Sequence, residues 1–272
     1  MAKLIKPDEC FVVVPSGDVD RFRRVSPEAF HVIDEDLMIP GLRAKIADMT
    51  PPGLEWRVGW YLQQFLKLSL LKQATNSDYS IIWDSDTLPL RRIKVRFSRG
   101  RLELFGGNEF HRPYFQQIHR LTGLEKSVSR SFIAQNIILK TTWVNEFFEF
   151  ISSMNDTKVP WIDKVLNSID FSEKSGFSEY ELLGTWLSHA HRNDFTFSDK
   201  HWSRNGTALA WSARVARLLP VRAFLAVRYH YISFENWEQR NISFPGSARL
   251  SRAIEGLGRV ARRLKCCQRN AQ

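Results

Sequence analysis

Apolar runs and apolar spacings divide the chain into alternating strands and helices. Cys10-Phe11-Val12-Val13-Val14 is a continuous apolar run closed by Pro15-Ser16-Gly17-Asp18, the pattern of a buried strand that enters a turn at a sheet edge. Phe30-His31-Val32-Ile33 predicts a second strand, ending in Asp34-Glu35-Asp36. Residues 40–53, with Pro51-Pro52-Gly53, read as a loop. Residues 58–72 carry apolar positions at helical spacing and stop before Thr75-Asn76-Ser77-Asp78. That helix feeds Tyr79-Ser80-Ile81-Ile82-Trp83, a strand of bulky side chains.

Downstream, residues 102–105 predict a strand or hairpin arm before Gly106-Gly107, and a short helix follows His111-Arg112-Pro113-Tyr114-Phe115 to Gly123. Residues 131–139 predict another strand, and 143–154 and 161–166 predict helices with Phe147, Phe148 and Phe150 mostly in the core. Ser178 with Glu181 three residues later is a capping box that opens a helix over 177–187. Residues 194–197 and 229–234 predict the last strands. Between and after them, 208–227 and 247–265 are basic and amphipathic. Such segments lie on anionic membranes or cover a core with a solvated cationic face. The tail reads as membrane-facing, while Pro220 interrupts the earlier segment. This alternation predicts an α/β fold in a single domain over residues 1–240, followed by a basic amphipathic helical tail at 241–272.

Composition removes several classes. With 272 residues, 43% hydrophobic and 25% charged, the chain is neither disordered nor fibrous. It has no run of 18 apolar residues, and its start is too polar for a signal peptide, so a cytoplasmic location is expected, with peripheral attachment to an inner membrane through the tail. Cys10, Cys266 and Cys267 lack zinc spacing and are expected as reduced thiols. A net charge of +10 implies nucleic acid, an anionic membrane or phosphorylated substrates. From Arg240 onward Glu255 is the only acid, which places much of the excess in the tail.

Candidate chemistry gathers where the third predicted strand stops. Asp84 and Asp86 emerge at a sheet's carboxyl edge, and on an extended chain residues two apart point the same way, toward one hard divalent cation. The alternative is a turn in which Asp84 caps and Asp86 is solvated. Gln64 and Lys67, on the preceding helix, either form a polar face or reach a sugar or phosphate. Pro15 opens the first loop, where α/β enzymes often meet a nucleotide, and Asp34-Glu35-Asp36 is suited to ribose hydroxyls or to solvent. Capping explains Glu181 but not Glu179, and both are candidates for a general base or a hydroxyl contact. His201 is a candidate third metal ligand or phosphate contact, or a structural histidine. Arg91, Arg92, Lys94, Arg96, Arg99 and Arg101 are mostly solvated, or pair with a diphosphate.

The strand ending in Asp84-Ser85-Asp86, the Tyr61-Leu62-Gln63-Gln64-x-x-Lys67-Leu68 helix before it and the later Phe177-Ser178-Glu179-Tyr180-Glu181 resemble the GT-A class of D-x-D glycosyltransferases, in particular bacterial surface-polysaccharide proteins. The resemblance spans residues 10–240 in order of elements. It implies a GT-A-like, Rossmann-type mixed sheet flanked by helices, a nucleotide-sugar donor and Mn²⁺ or Mg²⁺. Asp86 would ligate the metal, Asp84 would hold metal or ribose, and His201 would be a third ligand. In an inverting enzyme Glu179 or Glu181 would be the base. Acceptors in that class are saccharides or lipid-linked.

Two rivals remain. Phosphatases of the haloacid dehalogenase type also use D-x-D but need a threonine where this chain has Leu88. A basic nucleic-acid-binding protein would suit the charge, yet no binding motif appears and the tryptophans fall in core-like patterns.

Overall fold

A computed structural model describes residues 2–74, 76–154 and 158–235. The expected tail at 241–272, with Cys266 and Cys267, lies outside the described residues. In chain order the elements are α1 (Ala2–Ile5), β1 (Cys10–Val14), α2 (Val19–Val25), β2 (Phe30–Asp34), α3 (Glu35–Met38), α4 (Leu42–Met49), α5 (Val58–Gln73), β3 (Tyr79–Trp83), β4 (Thr87–Pro89), β5 (Phe97–Ser98) and β6 (Arg101–Leu104). Then come α6 (Arg112–Thr122), β7 (Asn136–Lys140), α7 (Thr141–Ser153), α8 (Trp161–Ser168), α9 (Glu179–Ala190), β8 (Phe195–Phe197), α10 (Gly206–Ala210), α11 (Ala213–Ala216), α12 (Leu219–Arg228) and β9 (Tyr231–Ser233). The protein is mixed α/β, with helices and small sheets, and its described residues form two compact units.

The larger unit comprises residues 7–83 and 95–199. Its β1 and β2 run parallel from Cys10 opposite Phe30 to Val14 opposite Asp34, so both strands end at one edge. β3 pairs antiparallel with β7, setting Ile81 against Ile138 and Ile82 against Ile137. β6 joins β5 through a two-residue turn at Arg99 and Gly100, both at positive φ as a tight hairpin requires, and lies parallel to β8. Helix α5 buries Tyr61, Leu62, Phe65 and Leu68 at helical spacing. Helix α9 is buried continuously from Glu179 to Ser188, and Gly184 lets it close on Phe132: a Cβ there would lie 2.0 Å from that ring. Buried Lys164 ends α7 by donating to the carbonyls of Ile151, at 3.3 Å, and Met154, at 2.6 Å.

The smaller unit comprises residues 2–6, 84–94 and the described residues from 200 on. β4 pairs antiparallel with β9, from Thr87 opposite Ser233 to Pro89 opposite Tyr231. Leu90, Ala210, Ala216, Leu225 and Ile232 form its core. Gly206 opens α10 against β9, where a Cβ would meet the Ser233 carbonyl at 2.4 Å.

Three local readings change. Within the loop expected at 40–53, α4 forms because Leu42 and Ile46, four apart, both reach the core. The strand expected at 131–139 begins only at Asn136. Ser131 pairs with Gly107 instead, and Gln135 takes a φ of 61°, which breaks the extended run. The segment 208–227 divides into α10, α11 and α12, with Trp211 at a φ of 54° after α10 and Pro220 in the first turn of α12, where its missing N–H costs nothing.

Candidate functional site

In the smaller unit Asp84-Ser85-Asp86 is a turn: the Thr87 amide donates to the Asp84 carbonyl at 3.0 Å, the spacing of a four-residue reverse turn. The two carboxylates therefore do not sit on the extended backbone that the alternation of a strand predicts. Asp84 is half-buried and Asp86 exposed. Asp86 is steadied from both sides. Its Oδ1 accepts from the Ser233 and Thr87 hydroxyls, each at 3.3 Å, and its carbonyl accepts from the Phe234 amide at 3.0 Å. His201 is exposed, and its carbonyl accepts from the His230 amide at 2.9 Å. Among the described residues no three His, Cys, Asp or Glu side chains gather into a cluster, so His201 does not join the two aspartates as a ready third ligand. What Asp84 and Asp86 offer is an oxygen-only donor set, and Mg²⁺ or Mn²⁺ bound this way takes one or two protein carboxylates and fills its shell with phosphate and water. The donor chemistry fits such an ion.

The larger unit brings a second polar group together at the carboxyl ends of β1 and β2. The Ser16 hydroxyl lies 2.6 Å from Asp34 Oδ1 and 2.7 Å from Asp36 Oδ2, while Asp34 also accepts from the Asp36 amide at 2.9 Å. The Ser16 hydrogen bond is the main reason the Asp34 carboxyl is held below its ordinary range. Pro15 and Ser16 are both exposed here. The acidic residues and the turn were legible in the sequence. That Ser16 binds them together follows only from the parallel pairing, which sets Val14 beside Asp34.

The two glutamates of α9 are inside the larger unit, 3% and 1% exposed. The Glu179 amide donates to the Gln64 side-chain carbonyl at 3.0 Å, and its carboxylate accepts from Lys67 Nζ at 2.8 Å. Gln64 and Lys67 thus address Glu179 from α5. Half of the capping box forms, the Glu181 amide donating to Ser178 Oγ at 3.3 Å, while the Glu181 carboxylate turns to other partners. Its carboxylate accepts from Ser131 Oγ at 2.5 Å and faces Lys126 Nζ at 3.8 Å, and Oε2 has no hydrogen bond. Burial raises the Glu181 carboxyl above its ordinary value, with Ser131 and Lys126 opposing, and burial likewise lowers Lys126. Ser131 and Lys126 carry no sequence signal, because they reach Glu181 from a loop far along the chain.

No curated protein matches the sequence. Among solved structures, mouse xyloside xylosyltransferase 1 in its apo form is similar, with 13% identity, a TM-score of 0.42 and 90% of each chain covered. A likeness of that degree carries no weight for what this chain does. The family of unknown function DUF6492 matches residues 1–216, a span that takes in Asp84, Asp86, His201, Gln64, Lys67 and both glutamates of α9. The chain belongs to that family.

Proposed function

We propose that the protein is a metal-dependent glycosyltransferase that moves a sugar from a nucleotide-sugar donor to a saccharide or lipid-linked acceptor, in the bacterial surface-polysaccharide setting that its sequence resemblance implies. The observation that carries this reading is the exposed Asp86 carboxylate, fixed by Ser233 and Thr87 in a turn that follows β3 directly, two residues from a second carboxylate. Asp84 and Asp86 would hold Mn²⁺ or Mg²⁺ with the donor diphosphate. When bound, such an ion supplies Lewis-acid neutralisation of charge on the departing diphosphate.

The chain's own residues do the rest by placement. Ser233 and Thr87 orient Asp86. Pro15 and Ser16, exposed at the end of β1, present a turn and a hydroxyl with two carboxylates behind it, the chemistry that accepts ribose hydroxyls. Gln64 and Lys67 serve by holding Glu179 rather than by touching the donor. An inverting transfer would need Glu179 or Glu181 uncovered to take the acceptor's proton, whereas a retaining transfer needs neither. His201 is assigned a phosphate contact in this reading, not a fixed ligand position.

The test is thermal unfolding of wild type and Asp86→Ala against a panel of nucleoside diphosphates, with and without Mn²⁺. Ligand that binds only the folded state raises the melting temperature by mass action. The expected result is a shift for one nucleotide that requires metal and disappears in the variant. No metal-dependent shift with any nucleotide in folded wild type would overturn the proposal.

A further inference from the structure

Helix α12 presents an apolar face to solvent. Leu225 is its buried residue, at 4% exposure, while Leu219, Phe224 and Val227 are 78%, 78% and 77% exposed. Helical spacing aligns Leu219, Ala223 and Val227 in one row with Pro220 and Phe224 beside it, and that arc holds no charged residue. Leu218 and Trp211, 42% and 45% exposed, extend the apolar surface before the helix. Exposed Arg214, Arg217 and Arg228 flank it.

The helix is fastened from behind. Arg222 donates to the Leu90 carbonyl at 3.3 Å, and Arg91 donates to the carbonyls of Ala226 and, at 2.6 Å, Val227. Those two guanidiniums are engaged with backbone, so the outward apolar arc is held in place. A continuous exposed apolar face rimmed by cations marks an interaction surface.

We propose that α12 docks on an anionic lipid bilayer, lying in the interfacial plane with Leu219, Phe224 and Val227 among the acyl chains and Arg214, Arg217 and Arg228 on lipid phosphates. Charge complementarity selects this occupant. The described acids of the smaller unit are Asp84, Asp86 and Glu235, and Glu235 is paired with Arg204 at 3.0 Å. A second copy would bring the same arginines against each other. The chain beyond residue 240 is itself basic, with Glu255 its only acid, and would meet the same repulsion. No helix among the described residues is long and apolar enough to cross a membrane. The inference uses none of the residues assigned to catalysis and stands apart from that reading.

The test is co-sedimentation of the full chain with phosphatidylglycerol–phosphatidylcholine vesicles and with phosphatidylcholine vesicles alone. Binding is expected only with the anionic lipid. It should weaken at least tenfold in Leu219→Ser/Phe224→Ser/Val227→Ser and severalfold in Arg214→Gln/Arg217→Gln/Arg228→Gln, with melting temperatures unchanged. The single variant Phe224→Ser gives a further reading should the triple variant melt early. Arg259→Gln/Arg262→Gln/Arg263→Gln is expected to keep most of the binding. Three results would overturn the proposal: no binding to anionic vesicles, binding lost in the tail variant but kept in the α12 variants, or a dimer in solution that the serine variant converts to monomer.

Discussion

Lys67 and Glu179 form an ion pair of 2.8 Å between α5 and α9, with the carboxylate 4% exposed and the lysine 19% exposed. Lys67 also lies over the Tyr180 ring, 4.9 Å from its centroid. Removing one partner of a buried pair costs more than the pair contributes, because the other charge is left in a poor medium. Lys67→Met is expected to lose on the order of 3 kcal/mol in urea unfolding. Lys67→Met/Glu179→Leu should recover most of that loss. Equal stability of wild type and Lys67→Met would show the pair to be dispensable.

Gly184 is where α9 touches Phe132, and an added Cβ would stand 2.0 Å from that ring. Neither side has room, since Phe132 is 1% exposed and packs on Phe195 and Phe197. Gly184→Ala should destabilise by about 1–3 kcal/mol or more through overpacking. Adding Phe132→Leu should return part of the stability, which a double-mutant cycle in denaturant would read.

Lys164 is 6% exposed and spends its ammonium on the carbonyls that end α7. Each bond is charge-assisted, so Lys164→Met should cost about 1.5–3 kcal/mol. Amide hydrogen exchange should locate the loss in the last turn of α7. Uniform loosening across the unit would contradict the assignment.

Glu181 gives a pH signature. Burial holds its carboxyl above the ordinary value of 4.5, so the folded state keeps the proton longer than the unfolded chain. The contribution of Glu181 to stability is therefore complete below that ordinary value and is lost as pH rises from there through the raised one. Glu181→Gln should flatten this fall, measured as urea-unfolding free energy across a pH series. Asp34 and Asp170 are shifted downward and act in the opposite sense below their ordinary value of 3.8, outside that window. A fall in stability of the same size in the variant would assign it to another group.

The fold was legible where side-chain pattern alone decides it. The strands ending at Val14, Asp34 and Trp83, the long helix after Val58 and the capping box at Ser178 all follow from periodicity or local hydrogen-bonding chemistry. What the pattern hid was set by partners distant in sequence. Helix α4 is short and bracketed by prolines, and only its contacts reveal that Leu42 and Ile46 are core. Ser131 reads as part of a strand because its neighbours are apolar, yet Gly107 and Glu181 claim it. The candidate site divides in the same way. The sequence locates Asp84, Asp86, Glu179 and Glu181, but it leaves the first pair open between strand and turn, where the structure has a turn with Asp84 half-buried and Asp86 exposed, and it does not show that the second pair is sealed beneath Lys67, Ser131 and Lys126.

The pairing of β4 with β9 joins residues nearly 150 positions apart, since Thr87 lies opposite Ser233. The match to the DUF6492 family covers residues 1–216 and so stops before β9 begins. A recombinant chain trimmed to that boundary would keep both aspartates but lose the strand that lines β4, the Ser233 hydroxyl on Asp86 and the Phe234 amide on its carbonyl. Choosing where to stop the gene is thus a choice about the geometry of Asp86, and any assay of donor or metal binding should be run on protein that extends at least through Glu235.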